Sequence, residues 1–169
     1  HHEFVPERYY RTLGWHEPVL EIAPGDTVST TTTNTVTVDV ENAAGHKLPS
    51  GLPSRRAWLH LLITNPGGTV VFESGRPTGD GGIEGNDAEN PDPASLPYEP
   101  HYDEAIISPD QVQIYEPIML NTDGEVTYTL LRAFSYAKDN RLLPSGFEKY
   151  GAPEDIAVWG SAFADDDFQ

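Results

Sequence analysis

Glycine and proline interrupt this chain before any apolar run grows long. Fifteen of each fall between short apolar stretches rather than in one low-complexity block, so the sequence is punctuated by turns along its length. Between those turns the packing residues are aromatic and β-branched, with 8 Tyr, 6 Phe and 3 Trp against 1 Met, a preference that favours strands over helices. The clearest period of two lies in Thr27–Val40, where Val36, Val38 and Val40 alternate with Thr35, Thr37 and Asp39. Its valine face is expected in the core and its polar face in water.

The rest of the chain repeats this alternation of strand and turn. Val19–Ile22 reads as a short strand, and Ala23-Pro24-Gly25-Asp26 as the turn that follows it. Ala57–Thr64 is nearly continuous in its apolar residues and predicts a strand that is buried on both faces or central. Asn65-Pro66-Gly67-Gly68 then turns the chain into Thr69–Glu73, completing a hairpin. Gln111–Glu116 and Val126–Leu131 flank the Asn121–Gly124 turn and predict a second hairpin. Phe134–Asn140 reads as a helical turn, Ile156–Trp159 as a last short strand, and residues 74–105 as a long acidic loop. At 169 residues one domain is expected. The prediction is an all-β, antiparallel, immunoglobulin-like β-sandwich over residues 27–169, preceded by an arm and strand-turn element over residues 1–26.

Charge and cysteine content remove several classes of function. A formal net charge of −17 opposes nucleic acid phosphates and anionic membrane surfaces, so neither is an expected partner. Without cysteine the chain has no disulfide, no zinc–thiolate site, no covalently attached c-type haem and no thiol nucleophile. Ser, His and Asp are present, but no ordered nucleophile motif such as Gly-X-Ser-X-Gly links them, and catalysis is not expected.

Two stretches resemble known families. Asn42–Gly51, Arg55–His60, Pro100–Asp103, Gln111–Glu116 and Lys138–Phe147 form five ordered blocks within residues 34–169 that resemble the C-terminal β-domain of secreted multihaem c-type cytochromes. The resemblance implies an extracytoplasmic β-sandwich that accompanies haem domains, although no Cys-X-X-Cys-His occurs here. Domains of that family run on past the Asp167-Phe168 position into further strands, which implies an open sheet edge in this chain. Within residues 1–32, His2-Glu3-Phe4, Gly14–Leu20 and Ile22–Val28 resemble the N-terminal segment of acetamidase/formamidase enzymes. This implies a strand-turn-strand element and carries over no catalytic residue.

The sharpest candidate site is the run from Asp80 to Asp92. Asp80, Glu84, Asn86, Asp87, Glu89 and Asp92 bring several oxygen ligands close together among glycines that allow tight curvature, as calcium requires. A solvated acidic loop is the alternative. His46 and His60 read as hydrogen-bonded loop and strand histidines, with a metal role for His101 beside Tyr102-Asp103-Glu104 as the lesser reading. Lys138-Asp139-Asn140-Arg141 reads as a turn pinned by side-chain hydrogen bonds and local ion pairs, and Arg55-Arg56 as partners of the acidic loops. The expected function is a non-catalytic, calcium-stabilised structural or interaction module at the cell surface or outside the cell, with the periplasm also admitted. It would assemble as a homo-oligomer or filament through its N-terminal arm or by strand addition. The alternatives are a haem-free accessory domain of a multihaem cytochrome assembly and an amidase-related fragment.

Overall fold

The structure, a computed structural model, describes residues 36–90, 92 and 94–169; the predicted arm, its turn and most of the Thr27–Val40 run lie outside these. Among the described residues the fold is all-β, with seven short strands, three single 3₁₀ turns and no α-helix. The strands are β1 (Ala57–Trp58), β2 (Leu61–Thr64), β3 (Val70–Ser74), β4 (Ile114–Tyr115), β5 (Pro117–Leu120), β6 (Val126–Thr127) and β7 (Ser135–Asp139). They form three antiparallel sheets, β1 with β4, β2 with β3, and β6–β5–β7 with β5 in the middle.

The first hairpin forms where its turn residues place it. Asn65 Oδ1 accepts the N–H groups of Gly67 and Thr69, each at 2.9 Å, and the Gly68 N–H donates to Asn65 O at 2.9 Å. The side chain thus substitutes for a missing backbone partner, which is why Asn suits such turns. Asn121 does the same in the second turn, where its Oδ1 accepts from the N–H groups of Asp123 and Glu125 at 2.9 Å.

The elements differ from the expectation in several places. The predicted strand Ala57–Thr64 breaks at Leu59-His60, because β1 pairs with β4 while β2 pairs with β3. Leu62 is exposed at the edge of this change, so the run is not a strand buried on both faces. Gln111–Glu116 contributes β4 to β1, and the hairpin around Asn121 is built by β5 and β6 instead. The β6 ladder ends at Thr127, and Leu130–Arg132 forms a 3₁₀ turn. Phe134–Asn140 is not a helical turn but contains β7, with Pro117 opposite Asp139 and Ile118 opposite Lys138. Extended backbone sends the consecutive side chains of Lys138, Asp139 and Asn140 to alternating faces, where each finds a buried partner. Finally, Ile156–Trp159 contributes one bridge, between Trp159 and Asp139. In Val36–Val40 the alternation holds only in part, with Val38 and Val40 half-buried and Thr37 and Asp39 exposed but Val36 exposed as well, and the run lies in no ladder among the described residues.

Two apolar clusters flank β4. Tyr115 joins Leu48, Leu142, Leu143, Val158, Ala162 and Phe168, whereas Ile114 joins Ile83 and Val112, with Trp58 packed against them. Adjacent residues of a strand face opposite ways, so β4 serves both clusters. Ile83 comes from the long loop, which is itself folded. A bridge joins Pro77 to Ile83, Asp87–Glu89 forms a 3₁₀ turn, and Ile83, Glu99 and His101 are buried.

Gly85 lets the loop approach this core. Its φ is +87°, and a Cβ there would stand 2.6 Å from Pro109 O and 3.0 Å from Val112 Cγ2. Gly85→Ala is expected to lower stability by at least about 1–2 kcal/mol, the cost of a left-handed conformation in a residue that bears a Cβ. Urea unfolding checks this, and an unchanged midpoint would mean that the loop does not sit on Val112.

Candidate functional site

The chemistry-bearing residues converge on a buried polar network that joins the long loop, β4, β7 and the C-terminal segment. Glu99 is fully buried. Its Oε1 accepts the Val112 N–H at 3.0 Å and the Tyr102 hydroxyl at 2.7 Å, and its Oε2 accepts the Asp87 N–H at 2.7 Å. Burial raises the pKa of Glu99 despite these three donors, because water solvates a carboxylate better than they do. The Lys138 ammonium lies beneath it, donating to Glu99 O at 2.7 Å and to Glu116 Oε1 at 3.3 Å. Burial pushes Lys138 down and Glu116 up, each partly offset by the other.

His101 occupies the next position in the network, and its tautomer is dictated by backbone groups. Asn140 Oδ1 accepts the Glu116 N–H at 2.9 Å, so its Nδ2 is the atom that donates to Ile114 O at 2.8 Å and faces His101 Nδ1 at 3.1 Å. Gln113 is oriented in the same way. Its Oε1 accepts the Tyr102 N–H at 3.0 Å, leaving Nε2 3.0 Å from His101 Nδ1. With two amide donors aimed at it, Nδ1 is the acceptor, and the proton sits on Nε2, 2.8 Å from Asp165 Oδ2. Burial lowers the pKa of His101, opposed by Asp165.

This geometry does not form a nucleophilic triad. The Ser161 hydroxyl donates to the His101 backbone O at 3.1 Å rather than to its ring, and both ring nitrogens are occupied. A general base needs one of them free within reach of the nucleophile.

On the opposite face of β7, Asp139 collects a second set of cations. Lys47 Nζ lies 2.9 Å from its Oδ2 and also donates to Ala157 O at 2.8 Å. Arg141 grips the same carboxylate with Nε at 2.8 Å and a terminal nitrogen at 2.7 Å, the bidentate fork that suits a guanidinium. The local ion pair expected for Lys138–Arg141 is therefore present at Asp139–Arg141, but Lys138 and Asn140 reach far from their own turn. Asn42 ties the preceding loop to this region by donating to His46 O at 2.7 Å and Leu142 O at 3.0 Å. His46 is exposed, its Nδ1 3.0 Å from Lys47 O, and His60 Nε2 sits 2.9 Å from Glu73 Oε1 across the β2–β3 hairpin region.

The six residues expected to hold calcium are not gathered. Glu84 pairs with Arg76 at 2.8 Å, and Glu89 pairs with Arg56 at 2.7 Å while accepting the Ile83 N–H at 2.7 Å. Asp80 accepts from the Thr78 hydroxyl. Asn86 is buried and caps the 3₁₀ turn by accepting the Ala88 N–H at 3.2 Å. Asp87 contributes its backbone N–H to Glu99, and Asp92 Oδ1 accepts the Ala94 N–H at 2.9 Å. Among the described residues no three His, Asp or Glu side chains surround a point that could hold a metal ion. Arginines met in the fold take two of the carboxylates, Glu84 and Glu89, that spacing alone had placed with the others. Arg56 thereby meets the acidic loop as expected, whereas Arg55 donates to Ser50 O at 3.1 Å.

Glu99 and Asp165 were not singled out in the sequence; Gln113 and Glu116 entered only within a block of the cytochrome-domain resemblance, and Lys138, Asp139 and Asn140 within such a block and as a local turn. Their shared signal is weak: polar residues inside or beside strongly apolar stretches. Comparison of the chain with protein-family models, curated proteins and solved structures returns no match.

Breaking the buried pair is expected to cost far more than replacing it. Lys138→Met strands the Glu116 carboxylate and should destabilise by about 3–5 kcal/mol, while adding Glu116→Gln should recover part of that loss. Equal losses in the single and double variants, read from denaturant unfolding, would mean that the pair does not act as one. For the acidic loop, millimolar calcium and a chelator should each leave the melting temperature unchanged. Glu89→Gln should lower stability by about 1 kcal/mol; a calcium-raised transition would instead show the loop reorganising around the ion.

Proposed function

We propose that this chain is a non-catalytic structural and interaction module, an immunoglobulin-like β-sandwich that works outside the cytoplasm by associating with copies of itself. One observation carries the reading: the titratable side chains of the buried network are engaged with protein partners, while large apolar side chains face outward beside a sheet edge. Leu131 is 98% exposed and Phe134 75%, with Tyr128 and Leu130 also exposed. They follow directly from β6, an outer strand of its ladder. Contiguous exposed apolar side chains mark contact surfaces, and an edge strand invites strand addition.

Short antiparallel ladders linked by turns support the sandwich architecture. The aromatic arm over residues 1–18, with Tyr9, Tyr10 and Trp15, is the complementary partner in this reading. An arm that docks on the next copy makes a head-to-tail contact, which propagates as a filament where the rotation does not close.

A second reading makes the chain a haem-free accessory domain in a multihaem cytochrome assembly. It is favoured by one observation: four of the five blocks that resemble the cytochrome-associated β-domain supply Asn42, Lys47, His101, Gln113, Glu116 and Lys138–Arg141, which meet in the polar networks on the two faces of β7.

Negative-stain microscopy and an absorption spectrum of purified protein test both readings. Filaments that disappear on deletion of residues 1–18 or in Leu131→Asp are expected from the first. Discrete particles with a Soret band would favour the second, and filaments that persist without residues 1–18 would remove the arm from the account.

A further inference from the structure

The C-terminal segment, residues 161–169, is attached in an unusual way. Among the described residues, no backbone-to-backbone hydrogen bond joins it to the ladders; its own bonds close local turns, such as Ala164 N–H to Ser161 O. What holds it is buried apolar surface at Ala162 and Phe168 together with side-chain contacts. His101 makes three of these. Its Nε2 meets Asp165 Oδ2 at 2.8 Å, its backbone O accepts from the Ser161 hydroxyl at 3.1 Å, and its ring meets the Phe168 ring edge-on at 5.2 Å between centroids. Lys149 Nζ donates to Asp165 O, and Tyr150 stacks edge-on with Phe163.

We infer that His101 is an acid-sensitive latch: protonation of its ring releases residues 161–169 from the body of the domain while the ladders stay formed. The reason is geometric. Nδ1 faces the amide nitrogens of Gln113 and Asn140, both oriented by backbone hydrogen bonds. A proton on Nδ1 would meet two N–H donors and no acceptor, leaving a buried charge unsatisfied on that side. Rotating either amide would break its bond to the Tyr102 or Glu116 N–H. The ring is relieved most readily by leaving its pocket for water, and that motion breaks its contacts with Asp165 and Phe168.

The charged groups around the ring act in both directions. Asp165 on the C-terminal segment and Asp103 on the loop of His101 favour the imidazolium, Lys138 on β7 opposes it, and burial is the largest influence and also opposes it. Asp165, itself pushed up by burial but more strongly held down by His101, the Asp167 N–H and Lys149, stays ionised across the relevant range. Because the folded-state pKa of His101 lies below its ordinary value of about 6.5, the released state binds more protons, and docking weakens as pH falls below about 6.5. Glu99 and Glu116, both raised, contribute with the opposite sign: they destabilise the fold at neutral pH, and this is relieved as they protonate. They fasten the long loop and β7 and make no hydrogen bond to residues 161–169.

Hydrogen exchange between about pH 7.5 and 5, corrected for intrinsic exchange, tests the latch on the full chain. Protection within Ala162–Phe168 should fall by up to tenfold per pH unit below about 6.5, while β7 remains protected. His101→Gln should remove that pH dependence. Nitrogen chemical shifts of the histidine rings give a second readout that requires no variant, and at neutral pH His101 should carry its proton on Nε2. Equal loss of protection in β7, a segment indifferent to pH, or a neutral ring protonated on Nδ1 would each overturn the inference.

Discussion

A buried ammonium holds the centre of this fold together. Lys138 reaches from β7 to the backbone carbonyl of Glu99 and to the carboxylate of Glu116, connecting the long loop to two neighbouring strands whose ladders are only a few residues long. Ladders this short cannot define a domain by themselves. The loop therefore becomes a structural layer, with Ile83 closing one apolar cluster and Glu99 capping the N–H groups of Asp87 and Val112. Asn140, two residues along the same face, extends the connection to His101 and through it to the C-terminal segment.

Interior polar groups on this scale are stabilising only when satisfied together. Removing a charge from water costs several kcal/mol, which attraction to a partner repays only with good geometry and additional hydrogen bonds. Both faces of β7 meet that condition by different means. On one, Lys138 and Asn140 engage carbonyls, a carboxylate and an imidazole; on the other, Asp139 is clamped between Lys47 and Arg141. Such a core is specific, because shifting the β7 register by one residue would exchange the two sets and leave every charge facing the wrong partner. It is also sensitive to protonation, since burial pushes Glu99 and Glu116 up and His101 down.

Large apolar side chains such as Leu131 and Phe134 nevertheless stand exposed on this strongly acidic chain. The exposed side chains beside the β6 edge and the segment 161–169 both adjoin the well-connected centre, the one through its ladder and the other through side-chain contacts.

Some of this was legible in the amino-acid order alone. Turn chemistry is local, so Asn65-Pro66-Gly67-Gly68 and Asn121–Gly124 announced their turns, and the short β-branched runs between breakers announced an all-β chain. Absent cysteine excluded thiolate and c-type haem chemistry with no structure needed. Pairing is not local. Whether Gln111–Glu116 joins β1 or the Asn121 hairpin depends on residues more than fifty positions away, and Phe134–Asn140 is extended because partners for Lys138, Asp139 and Asn140 wait on opposite faces of the sheet. Ligand sets are decided in the same way. Asp80, Glu84, Asn86, Asp87, Glu89 and Asp92 are neighbours along the chain, yet Arg56 and Arg76 divide the strongest of them. Meanwhile Glu99, His101, Glu116, Lys138 and Asp165, scattered in sequence, form the network. Sequence determined the type and punctuation of the elements because those arise from each residue's own backbone and side-chain preferences. Only the tertiary structure decided which charges meet, because a buried charge takes whatever partner the fold brings within hydrogen-bonding distance.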